Sequence, residues 1–225
     1  TGQDGSLLAL NYLKKKKKVF GFFTSKRKNL KNLKKLKITN QIKLFDYTKY
    51  SIEDVIVKTK CKYIYFLSGI SSITKADLFK HDTINSNTEF LIKILEFVRK
   101  YNKKEIRILN ASSSEIFGKN KKKNTEETEI NPTSYYGFAK SISTEIVRAY
   151  RLQFGIKVFN AILFNHESPL RPKEYVIQKI VSKTLDIFLK KKKNFFLGNL
   201  NVSRDWGWAP EYVNIMTKLI DQKNS

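Results

Sequence analysis

The 225-residue chain carries 44 Lys+Arg against 20 Asp+Glu, a formal net charge of +24, yet 41% of its residues are hydrophobic, which excludes a charged disordered tail as the whole of it. No apolar run approaches the roughly 18 residues of a membrane span, and the single Cys61 excludes an internal disulfide framework and a multi-cysteine metal site. A cytoplasmic protein with neither a resident metal nor a membrane partner is expected.

In chain order, the residues predict a helix over 6–16, strands over 19–23, 42–45 and 63–67, and a helix over 83–101. A strand over 105–110, a helix over 134–154, a strand over 157–164 and helices over 174–189 and 210–221 follow. This alternation predicts an α/β fold, a doubly wound parallel sheet flanked by helices. In the 83–101 helix Phe90, Leu91, Ile94, Leu95 and Val98 share one face. The polar stretch 119–129 reads as a surface loop. Of the basic residues 37 are Lys and 7 are Arg, with pure-lysine runs at 14–18, 121–123 and 190–193. A nucleic-acid surface more often shows Arg and interleaved aromatics, so no specific nucleic-acid partner is expected.

Three clusters carry chemistry. Thr1-Gly2-Gln3-Asp4-Gly5-Ser6 leads into the first helix, and two glycines three apart there suit either a diphosphate or an ordinary turn. Ser112-Ser113-Ser114-Glu115 follows the strand over 105–110, at the sheet edge where open α/β folds bind ligands. Tyr136 and Lys140 share a helix face, so the ammonium is expected to lower the phenol pKa and to reach a cofactor ribose. The same spacing occurs at Tyr12/Lys16 and Tyr175/Lys179; only the position of Tyr136/Lys140, on the helix after the Ser/Glu cluster, singles it out.

These blocks, with Ile162-Leu-Phe-Asn-His-Glu-Ser-Pro169 and Leu197-Gly-Asn-Leu-Asn-Val-Ser-Arg-Asp-Trp-Gly207, resemble in the same order the GDP-mannose 4,6-dehydratases, which are extended short-chain dehydrogenases/reductases. The resemblance implies a Rossmann-like dinucleotide-binding domain over 1–165 and a smaller, partial substrate lobe over 166–225 that returns to the core. It implies that Tyr136, helped by Lys140, takes the C4 hydroxyl proton as hydride leaves for the nicotinamide, that Glu115 removes the acidified C5 proton and expels the C6 hydroxyl, and that Ser113 replaces a family threonine at the C4 oxygen. Carried over by position, the cofactor contacts are Thr1, Gly2, Gln3, Asp4, Asp46, Tyr47, Leu67, Ser68, Gly69, Ile70, Ser71, Lys140, His166 and Arg171. The sugar nucleotide, GDP-mannose, is expected at Asn165, Lys179 and Arg204.

Departures also matter. The family's paired arginines for an adenosine 2′-phosphate align with Thr24 and Ser25, with Lys26 and Arg27 just beyond as substitutes; NADP is expected, with NAD as the alternative. A family tyrosine aligns with Asp82. His166 has a second reading as a packed structural histidine, and Trp206 and Trp208 are read as core. A homo-oligomer, dimer or tetramer, is expected of the full-length protein. The runner-up is a related epimerase or a dehydratase of another nucleotide sugar; 4-epimerases usually carry a small or hydroxylated residue at the Glu115 position. The resemblance also implies a strand before Thr1 and more substrate lobe after Ser225, so the chain alone is expected to be inactive.

Overall fold

A computed structural model of the chain describes residues 1–23, 30–119 and 123–222. Its first half comprises α1 (Gln3–Lys14), β1 (Val19–Phe23), α2 (Lys31–Lys35), β2 (Ile42–Asp46), α3 (Ile52–Thr59), β3 (Tyr63–Phe66), α4 (Ile73–Leu78) and α5 (Lys80–Lys100). There follow β4 (Arg107–Ser113), a 3-10 turn (Ser114–Phe117), α6 (Tyr135–Phe154), β5 (Val158–Leu163), β6 (Asn165–Glu167), α7 (Val176–Phe188), β7 (Trp206–Trp208) and α8 (Ala209–Leu219). Every strand pair is parallel: β1 with β2, β4 between β3 and β5, and β6 with β7. The expected α/β order is present. The additional α2, α3, α4, β6 and β7 are too short for a hydrophobic period to show.

Alternation along β4 explains the layers. Ile108 points into a core with Ile52 and Ile56 of α3, Leu91, Ile94, Leu95 and Val98 of α5, and Val147 of α6. Its neighbour Leu109 points the other way, against Leu8 of α1, Ala161 of β5 and Val213, Met216 and Ile220 at α8. Helices therefore cover both faces of the sheet, and the expected apolar face of α5 is the buried one. A third cluster, Ala9, Leu33, Ile38 and Ile42, packs α1 and α2 on β2. Leu95 is fully buried, so Leu95→Ala would cost about 2–5 kcal/mol. The return of α8 onto α1 and β5 ties the last part of the chain to the first core; the division at 165/166 falls inside β6.

Two local features place the site. β4 runs on to Ser113 rather than stopping at Asn110, because pairing with β5 persists through Ser113↔Leu163. The start of α6 is fixed by Ser134, whose hydroxyl accepts the Gly137 N–H at 3.0 Å, and its end by Gly155 in the left-handed region. Among the described residues, no helix is long and apolar enough to cross a membrane.

Candidate active site

The carboxyl ends of β3, β4 and β5 lie along one edge of the sheet, and the 3-10 turn after β4 carries Glu115 there. Ser113 accepts the Glu115 N–H at 3.3 Å, and its hydroxyl is near enough to the Tyr136 phenol to favour the phenolate. Tyr136 and Lys140 sit in the first two turns of α6. Gly137 between them makes the close approach possible, since a Cβ there would lie 2.4 Å from the Glu115 carbonyl oxygen. Nearby, Gly118 has a φ of +62° and faces the Asn131 carbonyl, while the Asn131 N–H donates to the Ile116 carbonyl at 2.9 Å. Ser113, Glu115, Tyr136 and Lys140 are thus brought to one place, as the motif positions predict.

The electrostatics differ from expectation. The Tyr136 ring is half-buried and its hydroxyl enclosed; burial pushes the phenol up to about 12, with Glu115 and Tyr175 adding to the rise and the Ser113 hydroxyl and Arg171 opposing it. Lys140 does not lower it. Its Nζ turns to donate to the Ala111 carbonyl at 2.7 Å and lies 6.0 Å from the Tyr136 ring centroid. Burial brings the Lys140 ammonium itself down to about 8.

The glycine turn forms a second wall. Gly2 N-caps α1 without a side-chain acceptor, leaving first-turn N–H groups for an anion, and a Cβ on it would meet nothing within 4 Å. Gly5 faces Leu67, where a Cβ would lie 3.7 Å from the leucine Cδ1. The first turn of α1 therefore packs beside the loop after β3. In that loop Gly69 adopts φ +129° against the Asn87 side chain, and the Ile70 N–H donates to Ser86 Oγ at 3.3 Å. A dinucleotide fits these residues: an uncapped helix N-terminus for a diphosphate, and a buried ammonium with donors to spare after its bond to Ala111.

Other expected contacts are occupied by one another. Gln3 Nε2 donates to the His166 carbonyl at 3.1 Å and to Asp4 Oδ1 at 3.1 Å, while Gln3 Oε1 accepts from Ser168 at 2.8 Å. His166 Nε2 lies 3.1 Å from Asp4 Oδ2, its Nδ1 lies 2.7 Å from the Phe164 carbonyl, and its ring stacks on Tyr212 at 4.5 Å. Both imidazole nitrogens are thereby engaged, the geometry of the packed structural histidine. For Gln3 and Asp4, backbone N–H groups are left to meet a cofactor. No sequence signal marks this network, whose members lie more than 160 residues apart.

Asp46 ends β2 and accepts from Thr48 N and Oγ1, while the Tyr47 ring packs at a tilt against Phe22 and Phe90. Thr24, Ser25, Lys26 and Arg27 lie outside the described residues. Asn165 pairs with Trp206 between β6 and β7. Lys179 lines a cavity of about 510 Å³ with Lys183, Lys192, Lys193, Asn194, Phe195 and Phe196. Arg204 is exposed outside that lining, and the Ser113–Glu115–Tyr136 group does not line it either. The expectation that Trp206 and Trp208 are core is corrected: they are 40% and 47% exposed, because β7 is three residues at the sheet margin.

The family model for GDP-mannose 4,6 dehydratase matches residues 1–225. The chain belongs to that family. It is 34% identical to the GDP-mannose 4,6 dehydratase of Drosophila melanogaster, over 100% of this chain and 60% of the relative. It is 32% identical to the Homo sapiens enzyme of that name, over 96% of this chain and 61% of the relative. A family member thus spanning about three-fifths of its relatives' length also shares the fold of more distant structures. These include a dTDP-glucose 4,6-dehydratase from Bacillus anthracis in complex with NAD (TM-score 0.79, 22% identity, 98% of this chain, 69% of that one). A UDP-N-acetylglucosamine 4-epimerase from Methanobrevibacter ruminantium is similar at TM-score 0.84 and 18% identity, over 100% of this chain and 71% of that one.

Proposed function

We propose that the intact protein is a nucleotide-sugar 4,6-dehydratase, a hydro-lyase acting on GDP-mannose in the cytoplasm as a dimer or tetramer. The observation that carries this reading is Glu115 set beside Ser113 and Tyr136 through the Gly137 contact. The fold is shared by 4,6-dehydratases and 4-epimerases alike, and only the former need a carboxylate at that point.

The C5 proton of a hexose is not acidic until C4 becomes a ketone. A nicotinamide dinucleotide, when bound, accepts the C4 hydride and returns it at C6, so the net reaction is loss of water. Tyr136 accepts the C4 hydroxyl proton, and Ser113, whose hydroxyl lies beside that phenol, steadies the C4 oxygen. With its phenol pushed up to about 12, Tyr136 holds its proton at neutral pH and needs added positive charge to act as a base. Glu115 then removes the C5 proton and passes it to the C6 hydroxyl, which leaves as water; as hydride adds to C6, C5 regains a proton, balancing the one Tyr136 took at C4. Lys140 of α6, whose Nζ bonds the Ala111 carbonyl of β4, is the proposed ribose contact.

NADP is the proposed dinucleotide, with Lys26 and Arg27 serving in place of an arginine pair. Lys179 and Asn165, with Arg204, are the proposed sugar-nucleotide contacts. Mass spectrometry after incubating the intact protein with GDP-mannose and NADP tests the reading. A product lighter by one water is expected, and an isobaric epimer would replace the dehydratase with an epimerase.

A further inference from the structure

A chain of four side chains joins the start of α7 to the loop after β3. The Tyr175 hydroxyl lies 3.1 Å from Ser71 Oγ, 104 residues away in sequence. The Arg171 guanidinium carbon stands 3.8 Å from the Tyr175 ring centroid, and Glu167 Oε1 lies 3.4 Å from Arg171 Nε. Tyr175 is well anchored at its backbone: it N-caps α7, its N–H donates to the Pro172 carbonyl at 3.2 Å, and its carbonyl accepts from Lys179 at 2.7 Å. Stacking and ion pair therefore aim the phenol before its hydroxyl meets Ser71.

The location gives this bridge a use. The charges of Arg171 and Tyr175 reach the Tyr136 hydroxyl, so the bridge lies within electrostatic range of the reacting end of the site. Ser71 belongs to the loop whose Leu67 faces the glycine turn, the wall where the dinucleotide is proposed to lie. The contact between hydroxyls is solvent-accessible, so it breaks and re-forms readily, restraining the two walls without fusing them. A dehydration that removes hydride and returns it later requires the dinucleotide to stay through the whole cycle.

We propose that Tyr175 is a positioning residue that latches α7 to the loop after β3 through Ser71 and slows escape of the dinucleotide. The inference rests on the dehydratase reading. Its test is the rate at which NADPH leaves the intact protein, followed by nicotinamide fluorescence during a chase with excess NADP. Tyr175→Phe keeps the ring on Arg171 and removes only the hydroxyl; Ser71→Ala removes the other partner. Tyr175→Phe is expected to release NADPH roughly fivefold faster, as fits the loss of one modest hydrogen bond, and Ser71→Ala, itself an expected dinucleotide contact, at least as much faster. The double variant is expected to be no faster than Ser71→Ala alone. Release from Tyr175→Phe at the parent rate, or additive effects in the double variant, would overturn the latch while leaving product formation and the dehydratase reading intact. A parent protein that binds no NADPH would overturn both.

Discussion

Gly137 sets its bare α-carbon against the backbone of Glu115, where an added Cβ would lie 2.4 Å from the carbonyl oxygen. That one missing methyl lets the first turn of α6 close on the 3-10 turn after β4. Tyr136 and Glu115 become neighbours as a result. In most helices Gly→Ala is stabilising by up to about 1 kcal/mol; here the obstacle is backbone, which cannot swing aside.

Gly137→Ala is therefore expected to destabilise the protein by about 1–3 kcal/mol in urea unfolding, the range for overpacking. Turnover should fall further than stability, because the substitution separates the two residues that must act in sequence. A stabilised, fully active Gly137→Ala protein would contradict this account of the contact.

The Asp4–His166 pair makes stability depend on pH in two directions. Burial alone would raise Asp4, but the hydrogen bond and charge of His166 outweigh it and hold the carboxyl below its ordinary 3.8. Burial alone would lower His166, yet Asp4 and the Phe164 carbonyl raise it above 6.5. The Asp4 contribution is present above 3.8 and is lost as pH falls through the depressed folded value. The His166 contribution is complete below 6.5 and is lost as pH rises through the raised folded value. A double-mutant cycle of Asp4→Asn and His166→Gln should show coupling of about 1–3 kcal/mol near pH 5 to 6, shrinking toward pH 9. Coupling that grows with pH would reverse the assignment.

Burial of Lys140 destabilises the fold. Its ammonium titrates near 8 rather than 10.5, a penalty of roughly 3 kcal/mol at neutral pH that is relieved as pH rises from 8 toward 10.5. Lys140→Met gives up the bond to the Ala111 carbonyl, worth about 1 kcal/mol. The net expectation is a variant more stable than its parent by about 1–2 kcal/mol at pH 7, with the gain vanishing by about pH 10, and with dinucleotide binding impaired. Destabilisation at pH 7 would show that the ammonium is paid back by contacts other than Ala111.

Cofactor choice is tested by titration. If Lys26 and Arg27 receive a 2′-phosphate, NADP binds more tightly than NAD, and replacing both residues by Ala removes the preference. Equal affinities in the parent would show that neither residue serves this role.

Much of this site was legible because strand ends and helix starts follow from local pattern. The β-branched and aromatic runs located β1 through β5, and the Ser/Glu cluster and Tyr136/Lys140 followed by position. What local pattern does not carry is where a side chain spends its hydrogen bonds. Lys140 turns toward Ala111, and Gln3, Asp4 and His166 satisfy one another, because contacts across the fold offer better partners than their sequence neighbours do. Trp206 and Trp208 misled for a related reason: large aromatics read as core, but a three-residue strand at a margin has nothing to cover it.

The central claim is that Glu115 is the C5 base, and Glu115→Gln tests it most directly because the amide keeps the shape and removes the basicity. In the intact protein, the variant mixed with GDP-mannose and NADP is expected to oxidise the sugar at C4, seen as nicotinamide reduction, with no product lacking water, whereas Tyr136→Phe shows neither. Complete dehydration by the Glu115→Gln protein would contradict the assignment.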